Sequence, residues 1–178
     1  FPTRRSSDLL LSLSGHKMYG PKGVGALFSR RKGPRVELES LLRGGNQENK
    51  HRAGTPNVPL IVGMVRAAQF SLENMDEENA KMRELRNQLW DELKSGLPCL
   101  IRNGSIENAL PHNLNISITG LDGASLFSSI KAVAVSNASA CLNGVQDYSQ
   151  VLSELGVSKA LAKATIRFGV SRYTTSKE

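Results

Sequence analysis

The chain has 178 residues, 39% of them hydrophobic and 22% charged, a balance that excludes wholesale disorder and fits one domain or slightly more. Its net charge of +7 invites anionic partners such as nucleic acid, acidic proteins or phosphorylated cofactors, provided the charges cluster. No apolar run approaches the ~18 residues that span a bilayer, and two cysteines, Cys99 and Cys141, exclude a disulfide scaffold and a four-cysteine zinc site but leave room for one reactive thiol.

The opening run Phe1-Pro2-Thr3-Arg4-Arg5-Ser6-Ser7-Asp8-Leu9 has no initiator Met, and its apolar stretch is too short for a secretory signal. It resembles a translated sequencing-adapter primer, so residues 1–9 are set aside as an artefact. Dropping Arg4, Arg5 and Asp8 lowers the charge by one, to +6, and the basic character survives.

Leu9–Ser14 then reads as a short buried strand. Gly15–Gly25 is a Gly- and Pro-rich loop, and Val24–Ser29 a second buried strand. Arg30-Arg31-Lys32-Gly33-Pro34 is a basic surface turn. Val36–Leu42 reads as an edge strand or a short helix, and Arg43–Asn57 as a polar loop of functional length. Helical spacing runs from Pro59 to about Asn74, and again from Asp76 to about Ser95. The second helix carries Asp76, Glu77 and Glu78 at its positive end and an apolar stripe of Met82, Leu85, Leu89 and Leu93 flanked by Trp90. It is a plausible connector between two lobes. Beyond it, Cys99–Arg102 and Asn113–Ile118 read as strands, Gly123–Lys131 as a helix and Val133–Val135 as a strand. Gln150–Leu155 is a helix stopped by Gly156, and Ser158 caps another to Ala164. Ile166, Phe168 and Val170 alternate as a last strand.

Four residues carry candidate chemistry. Lys17 sits at the mouth of a strand, where lost hydration lowers an amine's pKa; it is either a carbonyl-binding lysine or a snorkelling surface one. Cys141 lies in the small-residue run Ser136-Asn137-Ala138-Ser139-Ala140, which makes it an accessible thiol or an incidental loop cysteine. Cys99, beside Leu100, reads as a buried core filler. Arg167 points away from Ile166 and Phe168, toward solvent or a pocket. His51 and His112 have no metal-site spacing, and Gly20-Pro21-Lys22-Gly23-Val24-Gly25 lacks the ending of a phosphate loop.

Four ordered motifs together resemble the pyridoxal-phosphate-dependent cysteine desulfurases of the class V aminotransferase group. They are Ser14-Gly15-His16-Lys17 with Met18-Tyr19-Gly20-Pro21-Lys22-Gly23; Gly44-Gly45-Asn46-Gln47-Glu48 with Arg52-Ala53-Gly54-Thr55-Pro56-Asn57; Ser136 to Cys141; and Ile166-Arg167-Phe168 with Arg172-Tyr173-Thr174-Thr175. The chain departs from the pattern at Asn46, Asn49, Asn137 and Leu142. The resemblance implies an α/β fragment of a fold-type I enzyme. Residues 10–75 would be the last strands of the large cofactor-binding domain, and 76–178 most of the small α+β domain, truncated at its C-terminus.

The same resemblance implies that Lys17 holds pyridoxal 5'-phosphate covalently and then shuttles protons. Ser14 and His16 would contact the cofactor phosphate, and Thr55 would reach the phosphate of a dimer partner. Arg167 would clamp the carboxylate of L-cysteine, and Cys141 would take its sulfur as a persulfide, leaving L-alanine. The sulfur would pass to an acceptor such as an iron–sulfur scaffold or a tRNA-thiolation carrier, in a cytoplasmic homodimer with no membrane or direct nucleic-acid role. A selenocysteine lyase or another class V lyase or aminotransferase is the nearest alternative, and a basic RNA- or protein-binding module a remote one. The family residues that stack on the cofactor ring and bind its pyridine nitrogen and phenolic oxygen precede the lysine. The 178-residue chain alone is therefore expected to form no persulfide when given L-cysteine and pyridoxal phosphate. A persulfide assay on the isolated chain checks this, and a labelled Cys141 contradicts it.

Overall fold

A computed structural model describes residues 9–33, 36–136 and 149–178. The chain divides into two compact units, up to Met75 and from Asp76 onward.

In the first unit, β1 (Leu10–Ser14) and β2 (Gly25–Ser29) pair antiparallel, Leu10 opposite Ser29 and Ser14 opposite Gly25. Both strands are more exposed than their apolar sequences predict: Leu10 is 46% and Leu27 57% exposed. The cause is the layer count. A two-stranded sheet needs cover on both faces to bury alternating residues, and the described residues do not supply it. Val36–Leu42 forms neither strand nor helix. The polar loop contains a 3-10 turn at Gln47–Lys50, with left-handed backbone at Glu48, Asn49 and Lys50.

Helix α1 (Val58–Glu73) starts where Asn57 accepts a side-chain hydrogen bond from the Leu60 amide at 3.3 Å, an N-cap that satisfies one of the first free N–H groups. One face of α1 packs on the Gly15–Gly25 loop. A Cβ on Gly63 would lie 3.1 Å from Pro21, one on Gly20 3.4 Å from the Ala67 Cβ, and one on Gly23 3.7 Å from Leu60. Leu60, Gly63 and Ala67 share a helix face by spacing.

Helix α2 (Met75–Gly96) follows after one residue and opens the second unit. Its acidic first turn does more than complement the helix dipole: Glu78 pairs with Arg172 at 3.2 Å, both side chains largely buried, and Lys81 donates to the Arg172 carbonyl at 2.9 Å.

The sheet of this unit runs β3 (Leu100–Arg102), β4 (Asn113–Ile118), β5 (Thr165–Gly169), all antiparallel. Leu100, Leu114, Ile116, Ile118 and Ile166 form the core, with Leu89, Trp90 and Leu93 of α2 and Leu126 and Phe127 of α3 (Gly123–Ser129) packed against it. Short helices α4 (Gln150–Glu154) and α5 (Lys159–Lys163) precede β5; Ser158 caps α5 through the Leu161 amide. Gly123 sits where any Cβ would collide with the Lys163 carbonyl.

Two further expectations are corrected. Val133–Val135 is not a strand; among the described residues the pairing there is one bridge, between Ser136 and Arg167. Cys99 is exposed, not a core filler. It precedes β3, where alternation sends the 2%-exposed Leu100 inward and its neighbour outward.

Arg86 of α2 is fully buried. It donates to the Leu110 carbonyl at 3.1 Å, the Ile106 carbonyl at 3.4 Å and Asn87 Oδ1. It thus ties the β3–β4 connection to the helix, and burial is the main cause that lowers its pKa, ahead of Arg102 and Arg83. Arg86→Ala removes these donors and leaves a cavity. It should cost about 2–4 kcal/mol, seen as a lower urea midpoint; an unchanged midpoint contradicts this role.

Candidate functional site

In the first unit, β1 ends at Ser14 in extended backbone and passes directly into a 3-10 turn, Gly15–Met18. Two backbone hydrogen bonds fix the turn: Gly20 N–H donates to the Gly15 carbonyl at 3.0 Å, and Gly15 N–H to the Val24 carbonyl at 2.9 Å. Gly15 is buried, and a Cβ there would sit 2.9 Å from Val24 Cγ1 and 3.1 Å from the Pro21 carbonyl oxygen. Only glycine fits without a shift. Tyr19 closes the turn in left-handed backbone, φ 65°. Ser14 comes out half-buried, with His16 and Lys17 exposed beside it. Lys17 is thus more hydrated in this unit than the mouth of a buried strand implies, because β1 itself is uncovered. Thr55 is exposed on the segment just before the α1 cap.

In the second unit, β5 presents Ile166 inward at 3% exposure and Arg167 outward, as alternation requires. Arg167 exchanges both backbone hydrogen bonds with Ser136: its N–H donates at 2.7 Å and its carbonyl accepts at 3.2 Å. This brings two of the sequence motifs together, since Ser136 opens the run that leads to Cys141. Cys141 itself, with Asn137 and Leu142, lies outside the described residues. Arg167 makes no side-chain hydrogen bond or ion pair among the described residues, so its guanidinium is open to an anion. Arg172, at the end of the same motif, is structural through Glu78.

Sequence reasoning missed the polar face that surrounds Arg167. Asn103, Asn115, Ser117 and Thr165 share that side of the sheet and form a hydrogen-bonded chain. The visible signal was the polar alternation of Asn113, Asn115 and Ser117 against Leu114, Ile116 and Ile118. It also missed the coupling of His112 to Arg167: burial, and then the guanidinium charge, hold the imidazole below its ordinary pKa. A lowered histidine pKa disfavours the charged form in the fold. The stabilisation is complete above the unfolded value and lost as pH falls through it toward the folded one. Arg167→Gln should raise the His112 midpoint in an NMR titration of the ring protons, and an unmoved midpoint would show that the two do not interact.

The family described as aminotransferase class-V matches residues 5–178. Cysteine desulfurase IscS of Ehrlichia chaffeensis is 44% identical over 169 residues, which is 95% of this chain and 41% of that protein. Among solved structures, a NifS-like protein superposes with a TM-score of 0.79 at 31% identity, covering 99% of this chain and 45% of that one. A structure described as SspA in complex with cysteine superposes with a TM-score of 0.64 at 32% identity, over 93% of this chain and 45% of that one. This chain therefore spans about two fifths of its curated relative. The match runs over nearly its whole length and includes both units, and the chain belongs to the class-V aminotransferase family.

Proposed function

We propose that this chain is part of a pyridoxal-phosphate-dependent cysteine desulfurase, which converts L-cysteine to L-alanine and leaves a persulfide on Cys141. The observation that carries the reading is the Ser136–Arg167 bridge. It ties the lead-in of the Cys141 run to the strand bearing the open guanidinium. A desulfurase needs a carboxylate clamp and a thiol in one neighbourhood, and a transaminase has no use for the thiol. The similarity to proteins named cysteine desulfurase, and to one solved with cysteine, supports the same reading.

The donor set of the first unit fits the cofactor in part. An aldehyde phosphate requires an amine and several hydrogen-bond donors. Ser14, His16 and Lys17 supply hydroxyl, imidazole and amine from one strand end and one turn, and that turn holds no acidic residue. Residues 10–75 are then the last part of the cofactor-binding domain and 76–178 the greater part of the small domain. Thr55 serves a partner subunit's phosphate in a homodimer.

When bound, the cofactor supplies the electron sink for the substrate's α-carbon. The chain supplies the rest. Ser14 and His16 would hold its phosphate, and Lys17 would bind its carbonyl and move a proton at the substrate's α-carbon. Arg167 fixes the carboxylate through its planar fork, which orients the Cβ–Sγ bond. The Cys141 thiolate attacks the substrate sulfur. The thiolate lone pair makes the new S–S bond as the substrate Cβ–Sγ bond breaks; the pair from the broken bond stays on Cβ, which takes up a proton to become the methyl group of alanine. The persulfide sulfur passes to an acceptor protein in the cytoplasm, an iron–sulfur scaffold or a tRNA-thiolation carrier.

The test is alanine release from L-cysteine by the full-length protein. Lys17→Ala and Cys141→Ala should abolish it. Arg167→Gln should raise KM for L-cysteine about 10- to 100-fold, the weight of hydrogen bonds to a charged group. Full activity in Cys141→Ala would overturn the assignment.

A further inference from the structure

The polar face of the second unit's sheet fixes one amide beside Arg167. Thr165 Oγ1 donates its single proton to the Leu161 carbonyl at 3.0 Å. In its 2.7 Å contact with Ser117 Oγ it must therefore accept, and Ser117 donates. Ser117 Oγ in turn accepts from Asn103 Nδ2 at 2.7 Å. The other Asn103 N–H goes to Asn115 Oδ1, also at 2.7 Å. Every proton in the chain is assigned from the buried end outward, Ser117 and Thr165 both being fully buried. The order leaves one orientation for Asn115: its oxygen is taken by Asn103, on the β3 side. Its amide nitrogen is left unbonded by Asn103 and has no hydrogen-bond partner among the described residues.

The residue across from Asn115 on β5 is Arg167. Arg167 exchanges both its backbone bonds with Ser136, and Ile118 and Val170 bond across the β4–β5 ladder to Ala164 and His112. Asn115 and Arg167 are therefore a non-hydrogen-bonded antiparallel pair, the kind whose Cα atoms lie about 4.5 Å apart and whose side chains are closest.

We infer that Asn115 is a second donor for the substrate carboxylate, its Nδ2 aimed beside the Arg167 guanidinium by the Asn103–Ser117–Thr165 hydrogen-bond chain. The inference rests on Arg167 as the carboxylate clamp. Arg167 binds one face of a carboxylate through two N–H groups, and a neutral amide from the next strand adds a third donor without adding charge. Asn103 is then a positioning residue, which acts through Asn115.

The test uses the full-length enzyme loaded with cofactor. Asn115→Ala should raise KM for L-cysteine about tenfold, with kcat changed less than about twofold. The inhibition constant of cysteamine, which has the amine and thiol but no carboxylate, should stay within about twofold. Asn115→Asp retains the acceptor that Asn103 needs, so the chain of bonds and the fold survive, while the donor becomes an anion. Its KM should rise more than that of Asn115→Ala, and Asn103→Ala should shift KM in the same direction by less. An Asn115→Asp enzyme that binds L-cysteine like the parent overturns the inference, as does an Asn115→Ala enzyme whose affinities for L-cysteine and cysteamine fall equally. If Arg167→Gln raises KM and the Asn115 variants do not, the Arg167 reading stands and this one fails. If Arg167→Gln leaves KM unchanged, the clamp itself is wrong.

Discussion

β4 is paired on both sides, so its residues must divide between two faces of a sheet with no slack in register. Leu114, Ile116 and Ile118 take the inner face and meet the apolar stripe of α2 and the inward side of α3. Asn113, Asn115 and Ser117 are thereby committed to the other face, opposite Gly169, Arg167 and Thr165. A slip of one residue would bury the asparagines against Trp90 and Leu93 and expose the isoleucines. The core therefore fixes where Arg167 points, and Arg167 fixes where Ser136 can pair. Packing and site geometry in this unit follow from one alternation.

The first unit is held by a different constraint. Its loop between β1 and β2 survives only with the smallest residue at defined points: Gly15 against Val24 and Pro21, and Gly25, whose Cβ would sit 2.6 Å from the Leu13 carbonyl. These close approaches hold Ser14, His16 and Lys17 on one rigid turn over α1. The apolar surfaces of β1 and β2 contribute little to that rigidity, because so much of them faces solvent.

Elements with strong local signals were legible in the sequence. β4 was read over the residues it occupies, since its six residues alternate without exception. α1 was located by its helical apolar spacing and α5 by its cap, Ser158. What failed depended on partners distant in the chain. Val133–Val135 has the composition of a strand, but among the described residues the pairing begins only at Ser136. Cys99 has apolar neighbours, yet the phase of β3 turns it outward. Lys17 and Arg167 could be nominated from motifs because their chemistry resides in their own side chains. Asn115 could not, because what distinguishes it is a chain of bonds to Asn103, Ser117 and Thr165, the last of these 48 residues beyond Ser117. Arg86 likewise reads as an ordinary helix-surface arginine until the Ile106 and Leu110 carbonyls close over it.

The proposed reaction transfers one sulfur atom to Cys141. It is tested most directly by mass spectrometry of the Cys141 peptide, after the full-length protein is incubated with pyridoxal phosphate and L-cysteine and its thiols are trapped. The Cys141 peptide should gain one sulfur atom, the Cys99 peptide should not, and the gain should disappear in Lys17→Ala. Alanine formed in stoichiometric amount with Cys141 unlabelled would contradict it.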